Sequence, residues 1–125
     1  MREFSEVEKA NLGKDGGPAG TIITKYGTED DAQLGISLSQ APTTDLTKRV
    51  AITDLWVHNI SGGALTFIIK SSTTGTEFFW FGVADGENFN VCMRDFLRCP
   101  DAGENAKLYA SGAGDFNYYV NSRHV

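Results

Sequence analysis

The chain has 125 residues, of which 41% are hydrophobic and 14 are glycine, and a formal charge of −5. That length suits one domain with a real core, burying roughly two-thirds of the surface its unfolded form exposes. The acidic balance argues against a nucleic-acid partner, which needs clustered Lys and Arg, whereas Lys48-Arg49 is the only adjacent basic pair. No run approaches the roughly 20 apolar residues of a membrane span.

Residues 1–19 read as an N-terminal arm. Phe4, Val7 and Leu12 are its sizeable apolar side chains, set among charges and followed by a Gly-rich hinge from Gly13 to Gly20. Ser5 and Glu8 have capping-box spacing, so one helical turn over Ser5–Leu12 is conceivable. Such a segment cannot offset its own ordering entropy alone, and if ordered it must lie on its own barrel, a neighbouring subunit or a larger assembly. Charges also occupy the place where a signal peptide needs an apolar core, which predicts synthesis in the cytoplasm.

Residues 20–125 carry a β pattern. A strand is predicted over Thr21–Tyr26 and is expected to end in a turn over Gly27–Asp31. Gln33–Ser39 alternates, with Leu34, Ile36 and Leu38 on one face, as a half-buried strand does. Val50–Asn59 changes parity midway: Val50 and Ile52 share one face, Leu55 and Val57 the other. A bulge near Thr53-Asp54 reconciles the halves; alternatively Trp56 and His58 lie at an interface with both faces covered. After a turn at Ser61-Gly-Gly63, Leu65, Phe67 and Ile69 form an inward row. Next, Phe79, Phe81 and Val83 take one face and Phe78 and Trp80 the other, so this strand is expected to be covered on both sides by a partner.

Ala84-Asp-Gly-Glu87 signals a tight turn. Phe89, Val91 and Met93 then alternate against Asn90 and Cys92, and a short apolar piece, Phe96-Leu97, precedes a turn at Pro100–Gly103. Lys107–Ser111 and Phe116–Asn121 close the chain, with Phe116, Tyr118 and Val120 inward. Together these make an all-β antiparallel sandwich of eight or nine strands.

The sequence assembles no catalytic set. His58 sits within a strand, where a structural role is the simpler reading, and His124 is one residue from the end. Carboxylates gather at Glu29-Asp30-Asp31, Asp85/Glu87 and Asp101/Glu104, each at an expected turn. None has calcium-loop spacing, so no metal site and no cofactor is expected. Cys92 and Cys99 are expected to be reduced, at least one of them buried, although a bridge across a tight turn stays open. Asn59-Ile-Ser61 matches a glycosylation acceptor, read here as accidental. Trp56, Phe78, Trp80, Tyr118 and Tyr119 suit core and interface packing, or alternatively an aromatic sugar platform.

The stretch from Ile52 to Ile69 resembles a pattern of small tailed-phage virion proteins: a long strand ends in Asn-x-Ser/Thr-Gly and turns at once into an apolar strand. The acidic Gly turn Ala84–Glu87 and the Gly-rich hairpin Ser111–Asp115 are similar to theirs too. The family is the jelly-roll capsid decoration, or cement, proteins, and the resemblance spans Gly20 to Val125. It implies a jelly roll that is a homo-oligomer, a trimer or dimer, binding the major capsid protein on the outside of a phage head. It further implies that Phe4, Val7 and Leu12 anchor the arm, while Trp56, Phe78 and Trp80 bury against partners. The competing expectation is a glycan- or receptor-binding module of a tail fibre or baseplate.

Overall fold

β-branched and aromatic residues at alternate positions favour a pleated, half-buried backbone, and among the described residues they form eight strands. These are β1 (Ile23–Asp31), β2 (Ile36–Ser37), β3 (Val50–Asn59), β4 (Leu65–Ser71), β5 (Glu77–Val83), β6 (Asn88–Arg98), β7 (Ala106–Ala110) and β8 (Ala113–His124). The structure, a computed structural model, describes residues 21–125, apart from the side chains of residues 93–96. Phe4, Val7 and Leu12 lie outside the described residues.

The strands form two four-stranded sheets, in the orders β1-β8-β3-β6 and β2-β7-β4-β5, with every pairing antiparallel. Only β4 and β5 are joined within one sheet; every other connection crosses between layers. That order is the jelly roll, two interlocked Greek keys whose inner faces supply one core. Phe67 joins the layers, 5.1 Å from Phe81 in its own sheet and 5.0 Å, edge-on, from Phe116 in the other. Phe81 stacks at 4.3 Å on Phe89 across the sandwich. Leu55, Val57, Ile69, Leu108 and Val120 are fully buried around these rings.

The parity change in the long strand is a bulge. Against β8, Thr53 is the extra residue; against β6 the register shifts at the same place, with residues 93–96 of β6 lying between the paired Cys92 and Leu97. Val50, Ile52, Leu55 and Val57 consequently all reach the core, and Trp56 and His58 face outward. The turns at Gly62 and Gly86 have positive φ angles of 91° and 77°, which glycine adopts without strain.

Two expectations are corrected. β1 does not stop at Tyr26: it runs through Gly27 to Asp31, because Gly27 pairs with Tyr118, whose ring covers it. The acidic run therefore ends a strand instead of forming a turn. Nor is Gln33–Ser39 a full strand. Gly35 closes a turn onto the Ala32 carbonyl at positive φ, with the Tyr109 ring against it. Leu34 is thereby left 92% exposed, and only Ile36 and Ser37 pair with β7.

Candidate functional site

Because Leu55 and Val57 point inward, Trp56 must point out, and the sheet register decides what stands beside it. Tyr26 of β1 lies opposite Tyr119 of β8, which lies opposite Trp56 of β3 and then Asn90 of β6. One strand-spanning row thus carries three aromatic rings. Tyr26 is 73% and Tyr119 41% exposed. Their rings lie 6.3 Å apart with planes 23° from parallel. An open depression runs along this row, lined also by Gly27, Thr28, Asn117 and Tyr118.

Polar rows flank the aromatic one. On one side stand Thr28, Asn117, His58 and Asn88, with Thr28 Oγ1 donating to Asn117 Oδ1 at 2.6 Å. His58 also leans on Trp56, the rings 6.0 Å apart. On the other side stand Thr24, Asn121, Asp54 and Cys92. Thr24 Oγ1 donates to Asn121 Oδ1 at 2.7 Å, and the Asn121 amide donates to Asp54 Oδ2 at 3.2 Å. Hydrogen bonds hold Asp54 below its ordinary value against the opposing cost of desolvation: chiefly one from the Cys92 thiol, then those from Asn121 and Thr53. The same bond and the Asp54 charge push the Cys92 thiol up.

That coupling fixes what the row can do chemically. A thiol held protonated by a neighbouring carboxylate is a poor nucleophile. His58 stands two rows away, about 13 Å along the strands at the usual rise per residue. His124 instead meets the Gln40 carbonyl at 2.7 Å. Cysteine, histidine and aspartate are present on this face without the contacts a nucleophile–base pair needs.

The turn carboxylates are occupied in shaping loops. Glu104 Oε1 accepts from the Thr73 and Thr74 amides at 2.7 and 2.9 Å, Asp101 from the Thr74 hydroxyl at 2.7 Å, and Asp85 from the Gly62 amide at 2.9 Å. Among the described residues, no three His, Cys, Asp or Glu side chains gather as a metal ion would require. Asn59 of the acceptor sequence is fully buried. Its amide donates to the Gly63 and Val83 carbonyls, both at 2.8 Å, and its oxygen accepts from the Ser61 amide. Cys92 is exposed, Cys99 is buried against Ser71 Oγ at 3.2 Å, and both are free.

Trp56, Phe78 and Trp80, expected to share a partner surface, are divided among three environments. Trp56 is on the outer face just described. Trp80, 57% exposed, is on the outer face of the other sheet, in a row with Ile68 and Tyr109. Phe78 joins neither. The register shifts where Phe79 pairs with Ile69 and Glu77 with Lys70, which makes Phe78 the extra residue of a bulge and packs it against the core. Tyr118 is buried, so of the five aromatic residues read as a sugar platform only Trp56 and Tyr119 come together. Tyr26 completes them and was missed. Its alternation with Thr24 and Thr28 signals an outward face, but ending the strand at Gly27 concealed it.

The chain matches no family model and no curated protein. Among solved structures it is similar to a protein of Bacillus endospore appendages, described as a novel family of disulfide-linked pili. The identity is 16% and the TM-score 0.47, over 83% of this chain and 87% of that one. It is also similar to the Yersinia pseudotuberculosis-derived mitogen, at 12% identity and a TM-score of 0.29, over 82% and 85% of the two chains. Likenesses at these levels bear on neither activity nor partner. The described domain is an all-β jelly roll with exposed aromatic rows on both outer faces.

Proposed function

We propose that this chain is a structural virion protein, a decoration or cement protein of a tailed-phage head. It works as a homo-oligomer on the outer capsid surface and clamps contacts between capsomers. The observation that carries this reading is the outer face of the β2-β7-β4-β5 sheet. There Trp80, Ile68 and Tyr109 form an apolar row on a rigid strand framework. At one end Lys70 sits 4.6 Å over the Tyr109 ring and 4.0 Å from Glu77, a charged margin beside an apolar strip. Interfaces have this composition: an aromatic centre, desolvated on docking, within a polar rim.

Trp56 and Trp80 point away from each other, so one flat partner surface cannot cover both. The Trp80 face is assigned to the major capsid protein or to a sister chain, and the arm residues Phe4, Val7 and Leu12 to the same assembly. The β3–β4 segment that resembles the virion family supports the reading through Asn59, which holds the crossing between the two sheets.

Co-sedimentation with tailed-phage head shells assembled from a major capsid protein tests the proposal. The intact chain is expected to pellet with the shells, and Trp80→Ala to stay in the supernatant while melting at the same temperature. Equal pelleting of Trp80→Ala removes that face from the interface, and an intact chain that never pellets removes the head assignment.

A further inference from the structure

We infer that the outer face of the β1-β8-β3-β6 sheet is a binding site for a neutral carbohydrate, its sugar rings seated along Tyr26, Tyr119 and Trp56. This inference stands independently of the head assignment, because it concerns the opposite face.

Sugars are amphipathic in a particular geometry. The ring faces present C–H groups with slight positive charge, while the rim presents hydroxyls that both donate and accept. A complementary surface needs aromatic faces, which are electron-rich, in a strip one residue wide, with uncharged hydrogen-bonding groups along its edges. This face has that arrangement. The aromatic row is one residue wide because strand register places one ring per strand. The rows on either side supply hydroxyls, carboxamides and an imidazole at the same spacing.

Several of these groups are already oriented. The Thr28 hydroxyl holds Asn117 through its amide oxygen, which aims the Asn117 N–H pair away from that bond. Thr24, Asn121 and Asp54 form a chain across three strands that fixes the opposite edge. Groups fixed before binding lose little freedom on binding, which favours affinity for a ligand with many weak contacts. Tyr26 Oη, Tyr119 Oη, Trp56 Nε1 and Asn117 Nδ2 make no hydrogen bond to another described residue.

Charge narrows the ligand. The three rows contain no Lys or Arg, their one carboxylate is Asp54, and the whole chain is acidic. An anionic saccharide or a phosphate would find no cation among the described side chains of these three rows, and Arg123, further along β8, already acts on the Asp54 charge. A protein partner is disfavoured by contrast with the Trp80 face: that row has an aliphatic neighbour in Ile68 and an ion pair at its margin, and the Trp56 row has neither.

The test is native electrophoresis of the purified chain in gels cast with dextran, galactomannan or hydroxyethylcellulose, with polygalacturonate as the charged control. Fluorescence titration of Trp80→Phe accompanies it, since Trp56 is then the only tryptophan of the two. The expected result is retardation by at least one neutral polymer and none by polygalacturonate, with a shift in Trp56 emission. Trp56→Ala and Tyr119→Ala should each weaken retardation at least about ten-fold, the scale of one lost stacked ring, with unchanged melting. Trp80→Phe should bind as the parent does. Absence of retardation in all three neutral polymers overturns the inference. So does retardation that survives both alanine substitutions or that is lost in Trp80→Phe.

Discussion

Single residues set the tolerances of this fold. With one side chain Asn59 satisfies the buried Val83 carbonyl, the partly buried Gly63 carbonyl and one turn amide. Asn59→Ala strands those groups and should cost about 3 kcal/mol in urea unfolding. Asn59→Asp should be worse at neutral pH, since an acceptor then faces two acceptors. Gly114 is constrained from outside: an added Cβ would lie 2.4 Å from the Ser61 Cβ, at a φ of +138°. Gly114→Ala should therefore lower the melting temperature measurably, whereas the same change at Gly63, where an added Cβ meets nothing within 4 Å, should not. The Asp54–Cys92 pair gives a chemical readout. Folding lowers the pKa of Asp54 from 3.8, so its contribution is present above that value and lost as pH falls through the lower, folded-state value. Asp54→Asn should flatten the acid limb of thermal melts taken across roughly pH 2 to 5. It should also speed alkylation of Cys92 several-fold at pH 8, because the thiol loses the partner that keeps it protonated.

Among the elements, β3 bears the most, lying between β8 and β6 and leading into the crossover to β4. Its single extra residue lets both halves of the strand face the core. Deleting Thr53 would turn either Val50 and Ile52 or Leu55 and Val57 out to water, because the side-chain period in a strand is two. That deletion should abolish cooperative unfolding and the near-ultraviolet signal of the packed aromatics, while Thr53→Ser, which keeps the hydroxyl bonded to the Asn121 carbonyl, should retain both. The parity change was legible in the sequence, since four apolar residues on two phases admit few arrangements. The second bulge, at Phe78, was not. A run of Phe78, Phe79, Trp80 and Phe81 looks the same whether its first ring faces in or out, and only the slip between Ile69 and Lys70 settles the matter.

At the scale of the whole molecule, every fully buried large side chain lies between Leu38 and Val120 among the described residues. With the sandwich core taken as self-sufficient, removing residues 1–18 should leave the melting temperature of the domain within about 2 °C, a shift that corresponds to well under 1 kcal/mol. The native mass of the full chain separates the uses of the two aromatic faces. A discrete dimer or trimer that dissociates in Trp80→Ala but persists in Trp56→Ala would assign the apolar row to assembly and leave the other face free. A monomer at high concentration would leave the Trp80 row to the shell alone.

Composition and local pattern determined that this chain would be an all-β sandwich, with turns at Ser61–Gly63 and Ala84–Glu87 and an inward row of Phe116, Tyr118 and Val120. These properties depend on alternation and turn chemistry, which are written within a few neighbouring residues. Tertiary structure alone decided the jelly-roll strand order and the company each exposed ring keeps. Tyr26 and Tyr119 are 93 positions apart, and Trp56 and Trp80 only 24. Yet the first pair shares a row while the second is set on opposite faces. Pairing between distant strands is selected by burial of the whole inner surface at once, and no short segment encodes it.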